Sequence, residues 1–236
     1  MANYLLIAAS SDIGGATARR LTDAGHRVLT TARDSSVIEP DFPLDAADFD
    51  AVDRVVGEAV ERAGHLDGLA VFAGSMLLKP AHLTSREQYD GIVTASLTTA
   101  FAAVRAAGAH LRDGGSVVLV SSAAALAGLP NHDAIAAAKA GVIGLTLSSA
   151  ASYAAHGLRV NAVAPGLVQT RLTAKLTSSD MSRKVSEAMH PTGRLGEPDD
   201  IARAVQFLLD PENVWVTGQV LGVDGGLGSL RPRQKI

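Results

Sequence analysis

Between an apolar run and an alanine-rich stretch, the chain reads Ile7-Ala8-Ala9-Ser10-Ser11-Asp12-Ile13-Gly14-Gly15. A tight turn of small residues leading into a helix lets backbone N–H groups and the helix N-terminus face a pyrophosphate. Glycine suits such a turn because phosphate approaches the main chain too closely for a Cβ. Asp12 reads as the N-cap of the helix that follows, and a carboxylate there competes with a phosphate for the positive helix end. Two unit charges ~4 Å apart, at an effective dielectric of about 20, repel by up to about 4 kcal/mol before salt screening. A second candidate is His132, which shares a helical face with Ile135 if the helix has begun by then. An imidazole titrates near neutral pH and can serve as a general acid. The seven histidines show no ligand spacing, so no metal site is expected, and Cys 0 removes thiolate chemistry and disulfides. Tyrosine is scarce: Tyr4, Tyr89 and Tyr153 are the whole supply.

The elements that must position these residues follow from periodicity. Short apolar runs alternate with stretches of helical period, the pattern of βαβ units feeding a parallel sheet. Strands are expected over Tyr4 to Ala9, Val28 to Ala32, Phe42 to Leu44, Leu69 to Ala73, Ser116 to Val120, Leu158 to Val163 and Val220 to Val223. Helices are expected over Ile13 to Ala24, ended by Gly25, and over Phe49 to Ala63. Two more fall within Ser85 to Leu111, a long one runs from His132 to Ala155, and Pro198-Asp199-Asp200 introduces another over Ile201 to Leu209. Right-handed crossovers then give an α/β fold, a single Rossmann-type doubly wound domain over 1–236 with about seven parallel strands and helices on both faces. Leu167 to Gly196 is the longest irregular piece, long for a connection, and is read as a lid within that domain over 167–196.

Composition narrows the function classes. With 47% hydrophobic and 19% charged residues, the chain is neither a disordered tail nor a coiled coil. A net charge of −3 without a Lys/Arg stripe argues against nucleic-acid binding. No apolar run reaches the ~18 residues of a membrane span, so no membrane partner is expected. Met1-Ala2-Asn3 leads into an apolar run without a basic leader, so no secretory signal is expected and the reading is cytoplasmic.

Three segments in the C-terminal half carry a resemblance. They are Arg159-Val160-Asn161-Ala162-Val163-Ala164-Pro165-Gly166 followed by Thr170, then Gly193-Arg194-Leu195-Gly196-Glu197-Pro198 with Ile201-Ala202, and last Thr217-Gly218-Gln219 with Val223-Asp224-Gly225-Gly226. In these the chain resembles the short-chain dehydrogenase/reductase (SDR) superfamily, and the likeness runs from end to end. The family's glycine-rich turn is Thr-Gly-x-x-x-Gly-x-Gly; the matching positions are Ile7, Ala8, Asp12 and Gly14, of which only Gly14 is retained. The resemblance implies a nicotinamide cofactor held by Ala8, Ser10, Ser11, Ile13 and Gly14 in the first turn. It adds Asp45 and Ala46 near the adenine, Ala73 and Gly74 after the fourth strand, Lys139 at the ribose, and Pro165, Gly166, Val168 and Thr170 at the nicotinamide. Asp45 is otherwise read as an N-cap of the next helix. The family's Asn-Asn-Ala-Gly is Val71-Phe72-Ala73-Gly74, so both amides are gone and Phe72 reads as core.

Cofactor choice turns on the end of the second strand. NAD enzymes place an acid there for the ribose 2′-OH, whereas this chain has Ala32 followed by Arg33. A guanidinium suits a 2′-phosphate, so NADP(H) is favoured over NAD(H); the alternative is a solvated Arg33 paired with Asp34.

In the family a Tyr gives the carbonyl its proton, a Lys four residues on lowers that tyrosine's pKa and holds the ribose, a Ser binds the carbonyl oxygen, and an Asn completes a water relay. The matching positions are Ile135, Lys139, Ser122 and Ser96. Serine and lysine are retained; the acid and the relay amide are replaced. Tyr153 lies about 21 Å along the same helix if it is straight, and neither Tyr4 nor Tyr89 is well placed. Other donors are His132, Asp133 if burial keeps it protonated, His190 from the lid, or Lys139 through water. Ser122, Lys139 and His132 are therefore the expected catalytic residues.

Three functions are consistent with this. The favoured one is an NADP(H)-dependent SDR oxidoreductase of atypical mechanism, moving hydride to or from a small carbonyl or alcohol with an unusual proton donor. Another is a catalytically silent cofactor-binding relative, a sensor or a partner subunit. The third is a lyase, isomerase or cyclase on the same fold. The partner is a small-molecule substrate, and the alanine-rich helices around Ser96 and Lys139 resemble those that pair subunits in the family, which implies a homo-oligomer, tetramer or dimer.

Overall fold

A computed structural model describes residues 1–33 and 35–231. Seven strands form one parallel sheet in the order β3-β2-β1-β4-β5-β6-β7. They are β1 (Asn3–Ile7), β2 (Arg27–Ala32), β3 (Phe42–Pro43), β4 (Gly68–Val71), β5 (Gly115–Val120), β6 (Leu158–Pro165) and β7 (Val220–Val223). The expected α/β fold, doubly wound with helices on both faces, is what the chain forms. The strand order reverses between β1 and β4, which opens a crevice at the strands' C-terminal ends.

Two apolar cores lie on opposite faces. One is built from Leu5, Leu69, Val117 and Val160 under α2 (Phe49–Ala63), α4 (Thr99–His110) and α5 (Asp133–Tyr153). The other joins Leu6, Ala70, Val118 and Val163 to α1 (Asp12–Asp23) and α7 (Pro198–Leu209). Alternation along each strand sends successive residues to the two cores, which is why the strands read as unbroken apolar runs.

Local chemistry sets the element ends. β1 stops at Ile7 rather than Ala9 because Ala8 takes a φ of 60° and turns the chain. α1 begins at Asp12 with Ser11, not Asp12, as its N-cap: the Ser11 hydroxyl accepts from the Gly14 N–H at 3.0 Å. Asp48 caps α2, so Asp45 is not that cap either; its carboxylate accepts from the Ala47 N–H. Pro198 at the first turn starts α7 three residues earlier than the apolar pattern suggested.

The segment expected to be irregular contains a helix, α6 (Asp180–Met189), capped by Ser179. Its residues are exposed or half-buried, and its short apolar stripe of Met181, Val185 and Met189 faces outward rather than into a core. Between α3 (Arg86–Val93) and α4 the helix runs on through one π turn, Thr94–Thr98, making a single long rod. Arg86–His110 and Asp133–His156 are long and apolar enough on average to cross a membrane, although neither is an unbroken apolar run. Of these windows, 50% and 44% are buried within the domain, because their inner faces form the core.

Candidate active site

The crevice holds a cavity of about 460 Å³, lined by the first turn, the ends of β4, β5 and β6, one face of α5 and the start of the 167–196 segment. It brings together most of the residues expected from the resemblance: Ser11, Ile13, Ala73, Gly74, Ser122, Lys139, Pro165, Gly166, Val168 and Thr170. Gly14 is buried beneath the turn, where an added Cβ would stand 2.8 Å from the Ser11 hydroxyl and 2.9 Å from the Ala9 Cα. Its smallness is thus required by the turn's own packing. Ala8 and Ser10 sit in the same turn, Ser10 against a second cavity on its far side.

Lys139 is buried on α5, and its Nζ donates to the Val120 carbonyl at 2.7 Å at the end of β5. Burial lowers its pKa from 10.5 to about 8, since a charged ammonium loses its hydration in the cavity wall. One helical turn earlier, Ile135 is buried and lines the same cavity. Ser121 is spent on structure: its hydroxyl donates to the Lys139 carbonyl at 2.9 Å, fixing α5 to β5. The Ser122 hydroxyl instead accepts from the Ala124 N–H at 3.2 Å, which leaves its own proton free to donate into the cavity. The arrangement sets a hydroxyl donor and a readily deprotonated amine in one apolar-walled space. It can bind a carbonyl or alcohol oxygen and exchange one proton with it.

Several expected residues lie elsewhere. His132 is outside the cavity lining, and its Nδ1 is engaged with the Pro130 carbonyl at 2.8 Å, because α5 begins only at Asp133 and the imidazole belongs to the preceding turn. Asp133 is exposed at the helix start. His190 is buried below the cavity: Nε2 accepts from the Leu167 N–H at 3.1 Å, and Nδ1 bonds the Ser186 carbonyl at 2.7 Å. A Cβ on Gly166 would approach that Nε2 to 2.8 Å. His190 therefore anchors the base of the 167–196 segment and does not reach over the site. Val168 pairs with Gly196 beside it, closing the segment's two ends together.

Among the described residues none of the three tyrosines lines the cavity. Tyr4 is buried at the far end of β1, Tyr153 packs over Gly108, and Tyr89 is exposed on α3. Ser96 is buried in the π turn with its hydroxyl unpartnered, and it does not line the cavity. Arg33 and Asp45 are exposed at the ends of β2 and β3, with Ala46 buried beside them. Asp34, the proposed alternative partner of Arg33, lies outside the described residues. Phe72 belongs to the core cluster, as expected, and also forms part of the cavity wall.

Sequence reading missed two residues. The hydroxyl of Ser75 is buried at the cavity wall with no protein partner. Arg171 reaches back to the first turn and bonds Asp12, a contact between residues 159 positions apart that no local pattern signals.

A switch-point crevice with a glycine-poor but capped phosphate turn defines a Rossmann-type nucleotide-binding α/β protein. Comparison then fixes the family. A model described as enoyl-(acyl carrier protein) reductase matches residues 7–228. The 3-oxoacyl-acyl-carrier-protein reductase FabG of Thermotoga maritima is 34% identical over 240 residues, covering 94% of this chain and 96% of the relative. Cis-4-hydroxycyclohexanecarboxylate dehydrogenase of Sinomonas cyclohexanicum is 37% identical over 212 residues, covering 89% and 80%. Among solved structures, ElxO with NADP bound superposes with a TM-score of 0.90 at 28% identity, covering 98% of this chain and 100% of that one. Thermoplasma acidophilum aldohexose dehydrogenase in ligand-free form gives 0.89 at 29% identity, covering 100% and 97%. The chain belongs to the short-chain dehydrogenase/reductase superfamily of oxidoreductases.

Proposed function

We propose that the chain is an NADP(H)-binding oxidoreductase acting on a small, largely apolar carbonyl or alcohol, with the Lys139 ammonium as its proton donor. The observation that carries this is the placement of Lys139: buried, facing the same cavity as Ser122, with Ile135 one turn before it. The residues present suit a dinucleotide. Asp12 and Ile13 open α1 and have N–H groups without an acceptor inside the helix, and both line the cavity. Ala73 and Gly74 leave an open wall opposite, where a Cβ on Gly74 would meet only Lys139 Nζ, at 3.7 Å. The NADP seen in ElxO and the exposed Arg33 support the phosphorylated cofactor. When bound, the nicotinamide supplies or accepts the hydride.

Everything else falls to the protein. Pro165, Gly166 and Thr170 border the cavity and position the ring end of the cofactor. The Ser122 hydroxyl donates to the substrate oxygen and orients it. Ile135 and Phe72 exclude water, so the charge that develops on that oxygen is felt strongly by the nearby ammonium. In reduction, Lys139 as the ammonium gives its proton to that oxygen, directly or through one water; in oxidation the neutral amine takes it back. Burial serves this role by bringing the lysine near to working pH.

The test is a pH profile in both directions. Ketone reduction should fall as pH rises through about 8 and alcohol oxidation should rise through it, since the first needs the ammonium and the second the amine. Lys139→Met should cost ~10²–10⁴-fold in kcat both ways. Flat profiles, or a Lys139→Met variant as fast as wild type, would remove Lys139 from the chemistry.

Ile135 also favours a second reading, a silent cofactor-binding relative, because an aliphatic side chain occupies the position where the family has its acid. In that case wild type shows no turnover with a broad panel of ketones despite binding NADPH, and Ile135→Tyr creates activity. Turnover by wild type at the Tyr variant's rate excludes it.

A further inference from the structure

The strongest feature that the mechanism leaves unused is the contact between Asp12 and Arg171. The Asp12 carboxylate accepts twice from one residue, from the Arg171 N–H at 2.6 Å and from Nε at 2.8 Å. Nη2 of the same guanidinium donates to the Ser10 carbonyl. Three bonds thus tie the start of the 167–196 segment to both sides of the phosphate turn.

This clamp stands between two cavities. The active-site cavity lies on one side, and a second cavity of about 750 Å³ on the other is lined by Ser10, Gly15, Arg19, Val37 and Ile38. Ser11, Asp12, Thr170 and Arg171 line both. They form the partition between the two spaces, directly over the opening turn of α1. Without the clamp the two spaces run together across the helix N-terminus, where an anion is favoured.

The pair is also built to exchange. The Arg171 side chain is 55% exposed and that of Asp12 27% exposed, so solvent and salt weaken the contact. A guanidinium binds phosphate through the same paired N–H donors that hold a carboxylate. Exchanging one for the other leaves Arg171 satisfied, and the like-charge conflict is relieved only when the released Asp12 carboxylate turns out of the groove into solvent. No other ion pair among the described residues joins the 167–196 segment to the first turn.

We propose that Asp12 and Arg171 form a gate across the cofactor groove, in which Asp12 holds the place of the cofactor's pyrophosphate and Arg171 becomes that pyrophosphate's ligand when the dinucleotide enters. The proposal deepens the dinucleotide-binding reading above and rests on it.

Calorimetric titration with NADPH, on wild type, Asp12→Asn, Asp12→Gly and Arg171→Gln, tests the gate without recourse to turnover. Both Asp12 variants should bind at least roughly tenfold tighter than wild type, and Arg171→Gln roughly tenfold weaker. In the free protein, trypsin should cut after Arg171 and Lys175 faster in Asp12→Asn than in wild type, and NADPH should restore protection. Asp12 variants that bind no tighter than wild type, or an Arg171→Gln variant that binds as well, overturn the gate. If wild type binds no nicotinamide dinucleotide while an Asp12 variant does, the gate stands and wild type is no working oxidoreductase. If no variant binds, the gate falls with the dinucleotide reading. Wild type that binds tightly yet turns nothing over removes the oxidoreductase reading alone, and the variants still decide the gate.

Discussion

Lys139 illustrates how one buried side chain links folding to chemistry. Its pKa falls from 10.5 in an open chain to about 8 in the fold, so below pH 8 the folded protein carries a charge it has partly desolvated. The folded state then binds fewer protons than the unfolded state between about pH 8 and 10.5, and stability rises with pH across that window. At 1.36 kcal/mol per pH unit, wild type should gain up to about 3 kcal/mol relative to Lys139→Met on going from pH 8 to above 10.5. Urea unfolding of both proteins across that range reads it; parallel curves would show that Lys139 titrates normally. Lysine and Ser122 were legible in the sequence because the family motif marks their positions. The neighbours that set their chemistry were not: the Val120 carbonyl under Nζ and the Ala124 N–H on Ser122 are backbone groups, which side-chain identity does not reveal.

At the scale of elements, the 167–196 segment shows where pattern reading stops. Its limits were legible, because Pro165-Gly166 ends a strand and Pro198 opens a helix. The helix inside it was missed although Met181, Val185 and Met189 recur at helical spacing, because the stripe is short and sits in a polar stretch, and in the fold it stays exposed. His190 is one of the groups that hold the segment, linking α6 to the turn after β6. His190→Ala removes two hydrogen bonds and leaves the Leu167 N–H without its acceptor. The loss should be about 2 kcal/mol, with faster protease cleavage within α6 and weaker NADPH binding, since Gly166 beside it borders the cavity. An unchanged melting temperature and cleavage rate would mean that the Val168–Gly196 pairing alone suffices. The first turn shows a similar limit: its place between β1 and α1 was plain, yet Ala8 accepts the positive φ that glycine would adopt freely. Its methyl group is strained there, and only the fixed hydrogen bonds around it, such as the Ser11 N–H to the Ala8 carbonyl at 3.2 Å, keep it in place.

For the molecule as a whole, sheet order and helix layers follow from alternation and right-handed crossovers, which is why the fold was readable before any contact was known. The outer surface adds one expectation. Phe101 on α4 and Leu147 on α5 are 49% and 53% exposed, on helices whose inner faces are already committed to the core. Such side chains are best covered by a second copy of the chain, so sedimentation should show a dimer or tetramer, and Leu147→Glu should shift it toward monomer. A monomeric wild type at micromolar concentration would remove this expectation.

The division of labour in the sheet has a final consequence. Both apolar cores lie along the strands' length, whereas Ser122, Lys139, Asp12 and Arg171 gather at one rim, on turns and helix starts. Substitutions of these side chains leave both apolar cores untouched, so the chemistry can drift or weaken while the architecture beneath stays intact. A rim set apart from both cores in this way is also one that an engineer can rewrite, position by position, without redesigning the foundation.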